Sequence, residues 1–213
     1  MAAGNVTSGT GVRRGLSSLP GVFCLEGELN EDMRKKSTVR PVLEMLETLD
    51  KAQVVHRNVA TEEDLAFYVG ALQKKRYEKF QVLYLAMHGD EGAISMGGAG
   101  LTLGELGELL AGTCKGRVIY FGTCLTMKAS GKDLKEFAAV TGARAVIGYR
   151  KSVPFDTVAA FELPLMQELV TNARGGTIYT RLKTEHPVLT KKLGLVVATK
   201  NDVHMVPLRT ASA

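Results

Sequence analysis

The chain is short of several residue types, and each shortage excludes a class of protein. It has 213 residues, with three cysteines and no tryptophan. No apolar stretch approaches the roughly 20 residues that a membrane-spanning helix requires. The N-terminal segment carries Arg13 and Arg14 without an apolar run behind them, which is not the pattern of a secretory signal. We therefore expect no membrane contact and a cytoplasmic location.

The cysteines do not predict a disulfide framework. Their number is odd and no export signal accompanies them, which fits free thiols in a reducing compartment. Their spacing matches no common zinc pattern, so neither a metal site nor another cofactor is expected. Each cysteine is then either a small core residue or a reactive thiol.

The charge is moderately basic, with a formal net charge of +5 and a pI of about 9.1. The Lys and Arg residues form small groups at 13–14, 35–36, 74–76 and 191–192. No aromatic residues interleave with them as in an RNA-binding signature, so a nucleic-acid partner is not expected. We interpret these groups as solvated helix ends and loops, and the alternative is a surface for an acidic ligand, a nucleotide or a nucleic acid.

Short apolar runs alternate with helical patterns along most of the chain. The runs are bounded by glycine or polar residues, as in buried strands of a parallel sheet. This alternation predicts an α/β fold with a mostly parallel central sheet and helices on both faces. We expect one domain over residues 20–208, a flexible tail at 1–19 and a flexible C-terminus at 209–213.

Local signals place some boundaries within this domain. Thr61 and Thr102 precede apolar helical patterns and are predicted to cap two helices. The glycine-rich stretch at 89–100 is predicted to form a small hairpin or loop over the sheet edge. Its glycines lack the Lys-Ser/Thr ending of a phosphate-binding loop.

Two of the predicted strands end in residues that carry chemistry. The run at 81–87 stops at His88, and the run at 116–123 stops at Cys124. If these strands are parallel neighbours, their carboxyl ends lie side by side, where open α/β sheets place their ligands. A thiol and an imidazole at that edge could act as a nucleophile and its base. The backbone N–H groups of Gly89 and Cys124 could then hold a developing oxyanion.

The order of these pieces resembles the caspase-like fold of cysteine peptidases. Within it, the chain most resembles the CHAT group, relatives of separase and caspase that are widespread in bacteria. The resemblance rests on four segments: Leu83 to Gly89, Val118 to Cys124, Ala145 to Tyr149, and Val153 to Ala160. It implies a three-layer sandwich and a cysteine endopeptidase that acts on a protein or peptide substrate. In that mechanism Cys124 attacks the carbonyl, while His88 protonates the departing amine and then activates water.

Three carboxylates are candidate substrate-binding residues, and the resemblance points to the first of them. Asp156 falls where related enzymes place a carboxylate near the pocket for the residue before the cut, which would favour Arg or Lys. Its alternative role is that of a first-turn carboxylate stabilised by the helix dipole. Asp90 and Glu91 could steady the imidazole or bind a basic substrate residue, and the alternative is a solvated turn.

The other histidines and cysteines are assigned lesser roles. His56 also ends a predicted strand and is the rival base, although no glycine follows it. Structural or incidental positions are assigned to Cys24, Cys114, His186 and His204.

Three functional hypotheses follow from these patterns. The first is a caspase-like endopeptidase, gated by a signal, in bacterial anti-phage defence. The second is a catalytically weak module of the same fold that binds a nucleotide second messenger or an activating partner protein. In it, the net positive charge and the glycine-rich stretch at 89–100 would hold the acidic ligand, and Thr123 and Leu125 depart from the family pattern of the peptidase. The third is a flavodoxin-like domain in which the cysteine and histidine are accidental.

Overall fold

The computed structural model describes residues 19–207, apart from positions 31, 33, 36 and 173. In this part of the chain the strands are β1 (Gly21–Glu26), β2 (Gln53–Asn58), β3 (Phe80–Ala86), β4 (His88–Asp90), β5 (Ala93–Met96), β6 (Ala99–Thr102), β7 (Val118–Phe121), β8 (Ala145–Tyr149), β9 (Leu195–Ala198) and β10 (Val203–Met205). The helices are α1 (Arg40–Thr48), α2 (Glu62–Leu72), α3 (Leu103–Leu109), α4 (Gly131–Thr141), α5 (Phe155–Thr171), α6 (Gly175–Glu185) and α7 (Pro187–Leu193).

A seven-stranded sheet forms the centre of the molecule. Its strand order is β10-β9-β8-β7-β3-β1-β2. The pairs from β8 to β2 are parallel, whereas β9 pairs antiparallel with β8 and with β10. The predicted α/β fold with a mostly parallel central sheet is therefore confirmed.

Helices cover both faces of this sheet and enclose two apolar cores. One core contains side chains of α2, α3 and α4, and the other contains side chains of α1, α5, α6 and α7. Every residue of β7 and β8 is buried, because both faces of these central strands are covered. The arrangement has three layers, as a helix–sheet–helix sandwich requires.

Side-chain caps begin two of the helices on one face of the sheet. Thr61 accepts a hydrogen bond from the Asp64 N–H at the start of α2. Thr102 and Glu105 form a reciprocal capping box at the start of α3. Both predicted caps are confirmed.

Two elements differ from the sequence-based expectation. The stretch predicted as a small hairpin or loop is a three-stranded antiparallel sheet of β4, β5 and β6. Its β5–β6 turn contains Gly97 and Gly98, both with positive φ, a conformation that glycine adopts without strain. Helix α7 was not predicted, because it has only seven residues and begins at a proline directly after α6.

The predicted tails at 1–19 and 209–213 fall largely outside the described residues. Leu19, assigned to the first tail, is described and is buried. Among the helices of the described region, none combines the length and the apolar character that crossing a bilayer requires.

Candidate active site at the carboxyl edge of the sheet

His88 and Cys124 follow two neighbouring parallel strands. His88 is the first residue of β4, which comes one residue after the end of β3. Cys124 lies three residues beyond the end of β7. Leu85 of β3 is in register with Phe121 of β7, so the two strands end together. Both side chains are therefore attached at the carboxyl edge of the central sheet, as the sequence predicted.

The chain around Gly89 packs tightly against the loop that carries Cys124. A Cβ atom at Gly89 would lie 2.4 Å from the Cys124 carbonyl oxygen and 2.5 Å from Thr126 Oγ1. Real Cβ atoms do not approach other atoms so closely, so only glycine fits here. The glycine after His88 thus allows the histidine segment and the cysteine loop to lie in direct contact.

One cavity joins the two side chains. Its volume is about 130 Å³, and both His88 and Cys124 line it. The remaining walls are mostly apolar, with two polar groups, and consist of Leu29, Val39, Tyr84, Met87, Gly122, Val153, Phe155, Val158 and Glu162. A small, largely apolar cavity beside a thiol and an imidazole is suited to holding one side chain of a bound ligand.

The Cys124 sulfur lies against the loop that follows β8. The Val153 N–H approaches Sγ at 3.4 Å, and the Ser152 hydroxyl approaches it at 3.9 Å. The thiol in turn lies 3.8 Å from the Val153 carbonyl oxygen, to which it donates, so the backbone of Val153 holds the sulfur in place. Within the described residues, the Cys124 N–H itself has no hydrogen-bond acceptor.

Residues 122–130, which connect β7 to α4 and are called the cysteine loop here, are fixed by two further features. Leu125 has φ of +59°, a left-handed conformation that is uncommon for a residue with a side chain. Its N–H donates to the Lys151 carbonyl at 3.1 Å, which holds the turn in place. Thr126 Oγ1 donates to the Ala93 carbonyl at 2.8 Å and accepts from Thr123 Oγ1 at 2.6 Å, which links this loop to β5.

The three candidate substrate-binding carboxylates do not line this cavity. Asp156 is exposed in the first turn of α5, where its carboxylate accepts the Thr157 N–H at 2.7 Å. Asp90 accepts the Glu91 N–H, and Glu91 forms an ion pair with Lys128. The structure thus brings His88, Gly89 and Cys124 together and places these acids around them at the surface.

Sequence reasoning missed a buried carboxylate in the same cavity. Glu162 of α5 is 2% exposed, and its Oε1 accepts hydrogen bonds from the hydroxyls of Tyr84 and Tyr120. The Tyr120 hydroxyl also lies 2.9 Å from that of Tyr149. Burial raises the pKa of Glu162 to about 7, although the two tyrosine hydroxyls favour its ionised form.

A signal for this residue is present in the sequence. Glu162 stands on the same helical stripe as Val158, Leu165 and Leu169, all of which are buried. A charged residue on an apolar stripe is unusual, because burying an unpaired charge is costly. That pattern could have singled out Glu162 before the structure was known.

The rival residues occupy other environments. On the edge strand β2, His56 Nε2 lies 2.5 Å from the buried carboxylate of Glu26, at the end of the neighbouring strand β1. His186 packs against Phe161, and His204 stacks on Tyr179.

The other two thiols are enclosed. Burial raises the pKa of Cys24 well above its ordinary value, and it raises that of Cys114 to about 12. Cys24 and Cys114 are buried, whereas Cys124 is partly accessible. Of the three described thiols, Cys124 is therefore the one that solvent and ligands can reach.

No group of three or more His, Cys, Asp or Glu side chains in the described part of the chain could hold a metal ion.

The fold and the site together define an α/β protein with a cysteine and a histidine at one edge of a parallel sheet. The chain belongs to DUF6642, a family of unknown function, whose model matches residues 20–193. That match includes both His88 and Cys124. No curated protein matches the chain.

Proposed function

We propose that this protein is a cysteine endopeptidase in which Cys124 is the nucleophile and His88 is the general acid and base. The observation that carries the proposal is the shared cavity: His88 and Cys124 line one space at the carboxyl ends of two adjacent parallel strands. Open α/β sheets bind their ligands at this edge. The gated role in anti-phage defence rests on the resemblance to CHAT proteins alone.

The first half of the reaction forms an acyl-enzyme. The Cys124 thiolate attacks the carbonyl carbon of the scissile peptide bond, and the carbonyl electrons move onto oxygen. When the tetrahedral intermediate collapses, the C–N bond breaks and protonated His88 gives its proton to the departing amine. The free N–H of Cys124 is the available donor for the oxyanion, with the adjacent Gly89 backbone as the second candidate.

The second half releases the acid product. Neutral His88 takes a proton from water, and the resulting hydroxide attacks the thioester carbon. The C–S bond breaks, and Cys124 leaves as a thiolate beside protonated His88. The pair has then returned to its starting state, with one water consumed for each bond cut.

Two observations support Cys124 in this role over the other thiols. It is the partly accessible cysteine, whereas burial raises the pKa of both Cys24 and Cys114 and so disfavours their thiolates. The Val153 N–H also points at its sulfur. An inert core cysteine would need neither access nor donors.

The test is proteolysis by matched variants. Purified protein is incubated with casein and with a mixed peptide library, and new N-termini are identified by mass spectrometry. We expect Cys124→Ala and His88→Ala to lower turnover by at least about a hundredfold. The controls are Cys114→Ala and His204→Ala, which alter a thiol and an imidazole away from the cavity. Equal turnover in the wild type and in Cys124→Ala would refute the proposal.

The second candidate, a binding module for a nucleotide, is favoured by a separate cleft. This cleft of about 910 Å³ includes Lys115, Arg174 and Lys200 in its lining and lies near the amino end of β8. Cations around a cleft attract phosphate groups. Calorimetric titration with ATP tests this candidate. Binding that the pair Lys115→Glu and Lys200→Glu abolishes supports it, and absence of binding contradicts it.

A further inference from the structure

Glu162 is a buried carboxylate without a cation. No Lys or Arg side chain lines the cavity that it shares with Cys124. Its hydrogen-bond donors among the described residues are the neutral hydroxyls of Tyr84 and Tyr120. The negative charge of a second acid, Glu26, also acts on Glu162 and further disfavours its ionised form. An ionised carboxylate in this position lacks the opposite charge that normally accompanies burial.

The two oxygens of Glu162 differ in their contacts. Both tyrosine hydroxyls donate to Oε1. No described residue donates a hydrogen bond to Oε2. A carboxylate accepts several hydrogen bonds, so this second oxygen is available to a donor that enters the cavity.

The rest of the cavity suits the stem of a long cationic side chain. Its walls include the apolar side chains of Leu29, Val39 and Val158, and its volume is about 130 Å³. Lys and Arg pack their methylene groups against apolar surface while the charged end reaches a polar partner. One such side chain would place its methylenes along these walls and its charge at Glu162.

Resting on the proposed function, we infer that this cavity binds the Lys or Arg side chain of the substrate residue on the amino side of the cut, and that Glu162 recognises its charge. Asp156, six positions earlier on the same helix, faces its own helix N-terminus instead. Glu162 is thus a specificity residue, and a charge-assisted hydrogen bond to it discriminates against neutral side chains.

The first test measures binding without catalysis. Cys124→Ala protein is titrated by calorimetry with two peptides that are identical except for lysine or norleucine at the recognised position. We expect the lysine peptide to bind at least about tenfold more tightly. When Glu162→Gln is added to Cys124→Ala, the ratio of the two affinities should fall towards one. When Asp156→Asn is added instead, the ratio should remain at least about tenfold. Equal affinity for both peptides, or no measurable binding of either, overturns the inference.

A second measurement does not depend on how well the Glu162→Gln variant folds. The affinity of the lysine peptide should fall severalfold as the pH is lowered through about 7, because protonation removes the charge of Glu162. Other titratable groups surround this carboxylate on β1, β3, β7, β8 and the cavity rim, namely Cys24, Glu26, Tyr84, Tyr120, Tyr149, His88 and Cys124. The pH dependence of the affinity for the norleucine peptide reports the contribution of these other groups, because norleucine has no charge for Glu162 to recognise. Parallel pH profiles for the two peptides contradict the inference.

Turnover separates this inference from the proposed function. Cleavage that depends on Cys124 but shows no preference for Lys or Arg refutes the inference and leaves the peptidase intact. Selective binding of the lysine peptide without any cleavage refutes the peptidase and leaves the cation pocket in place.

Discussion

At the scale of single residues, Gly89 determines whether the site can form. Its backbone lies so close to the cysteine loop that a methyl group has no room. The absence of a side chain therefore allows the contact between the segment after His88 and Cys124.

Replacing Gly89 by Ala should destabilise the protein by roughly 1–3 kcal/mol, because the new methyl group forces the cysteine loop away. Urea unfolding measures this change. The matched control is Gly70→Ala in α2, where a Cβ atom meets nothing within 4 Å. That control should be neutral or slightly stabilising, since alanine favours the helix. Equal stability of Gly89→Ala and the wild type would contradict the tight packing.

Glu162 makes a second residue-level prediction, on stability against pH. Its pKa rises from 4.5 to about 7 on folding, mainly through burial. The folded chain then binds this proton more tightly than the unfolded chain. The stabilisation that the folded chain gains from binding this proton is fully present below about pH 4.5, and it is lost as the pH rises through about 7.

The measurement is the free energy of unfolding of the wild type and of Glu162→Gln between pH 4.5 and 8. Subtracting the free energy of unfolding of one protein from that of the other at each pH removes the contributions of groups that titrate in both. Relative to Glu162→Gln, the free energy of unfolding of the wild type should fall by on the order of 3 kcal/mol between pH 4.5 and pH 8. A difference that stays constant with pH would show that Glu162 titrates normally.

At the scale of elements, the site depends on the contact between the cysteine loop and the small sheet of β4, β5 and β6. Thr126 makes this connection, since its hydroxyl contacts Thr123 Oγ1 and the Ala93 carbonyl. The residue is fully buried, so water cannot replace these bonds.

Thr126→Val keeps the shape of the side chain and removes the hydroxyl. We expect a loss of about 1–3 kcal/mol in stability and faster amide hydrogen exchange in β5 and the cysteine loop. Thr184→Val is the control, because the Thr184 hydroxyl bonds only within the exposed surface of α6. If exchange in the loop is the same in both variants, Thr126 does not fix it.

The sequence predicted the large elements of the fold but not the smaller ones. Strands such as β3 and β7 are apolar on both faces, and the Thr61 and Thr102 caps mark helix starts, so these signals are local. The sheet of β4, β5 and β6 depends on tertiary contacts, including the bond from Thr126 to β5. A short glycine-rich sequence does not reveal such contacts.

The positions of the candidate-site residues in the fold were predictable to a similar extent. His88 and Cys124 follow apolar strands, so their position at one edge follows from the parallel topology. Glu162 reaches the cavity from a helix on one face of the sheet, and its partners Tyr84 and Tyr120 come from two different strands. Only the packing of that helix against the sheet brings these groups together, and sequence spacing does not encode that packing.

At the scale of the whole molecule, the fold leaves one thiol accessible, that of Cys124, and encloses the other two. The helices on both faces bury Cys24 and Cys114, while the carboxyl edge of the sheet leaves Cys124 within reach. Selective reactivity is then a consequence of the architecture rather than of the cysteine itself.

The most direct test is the alkylation rate of each cysteine in the native protein. Iodoacetamide is added at pH 7.5, and each modified thiol is quantified over time by mass spectrometry. The account predicts that Cys124 reacts at least about tenfold faster than Cys24 and Cys114, and that His88→Ala slows Cys124 severalfold while His204→Ala does not. Equal, slow labelling of all three thiols, or a Cys124 rate indifferent to His88, would contradict it.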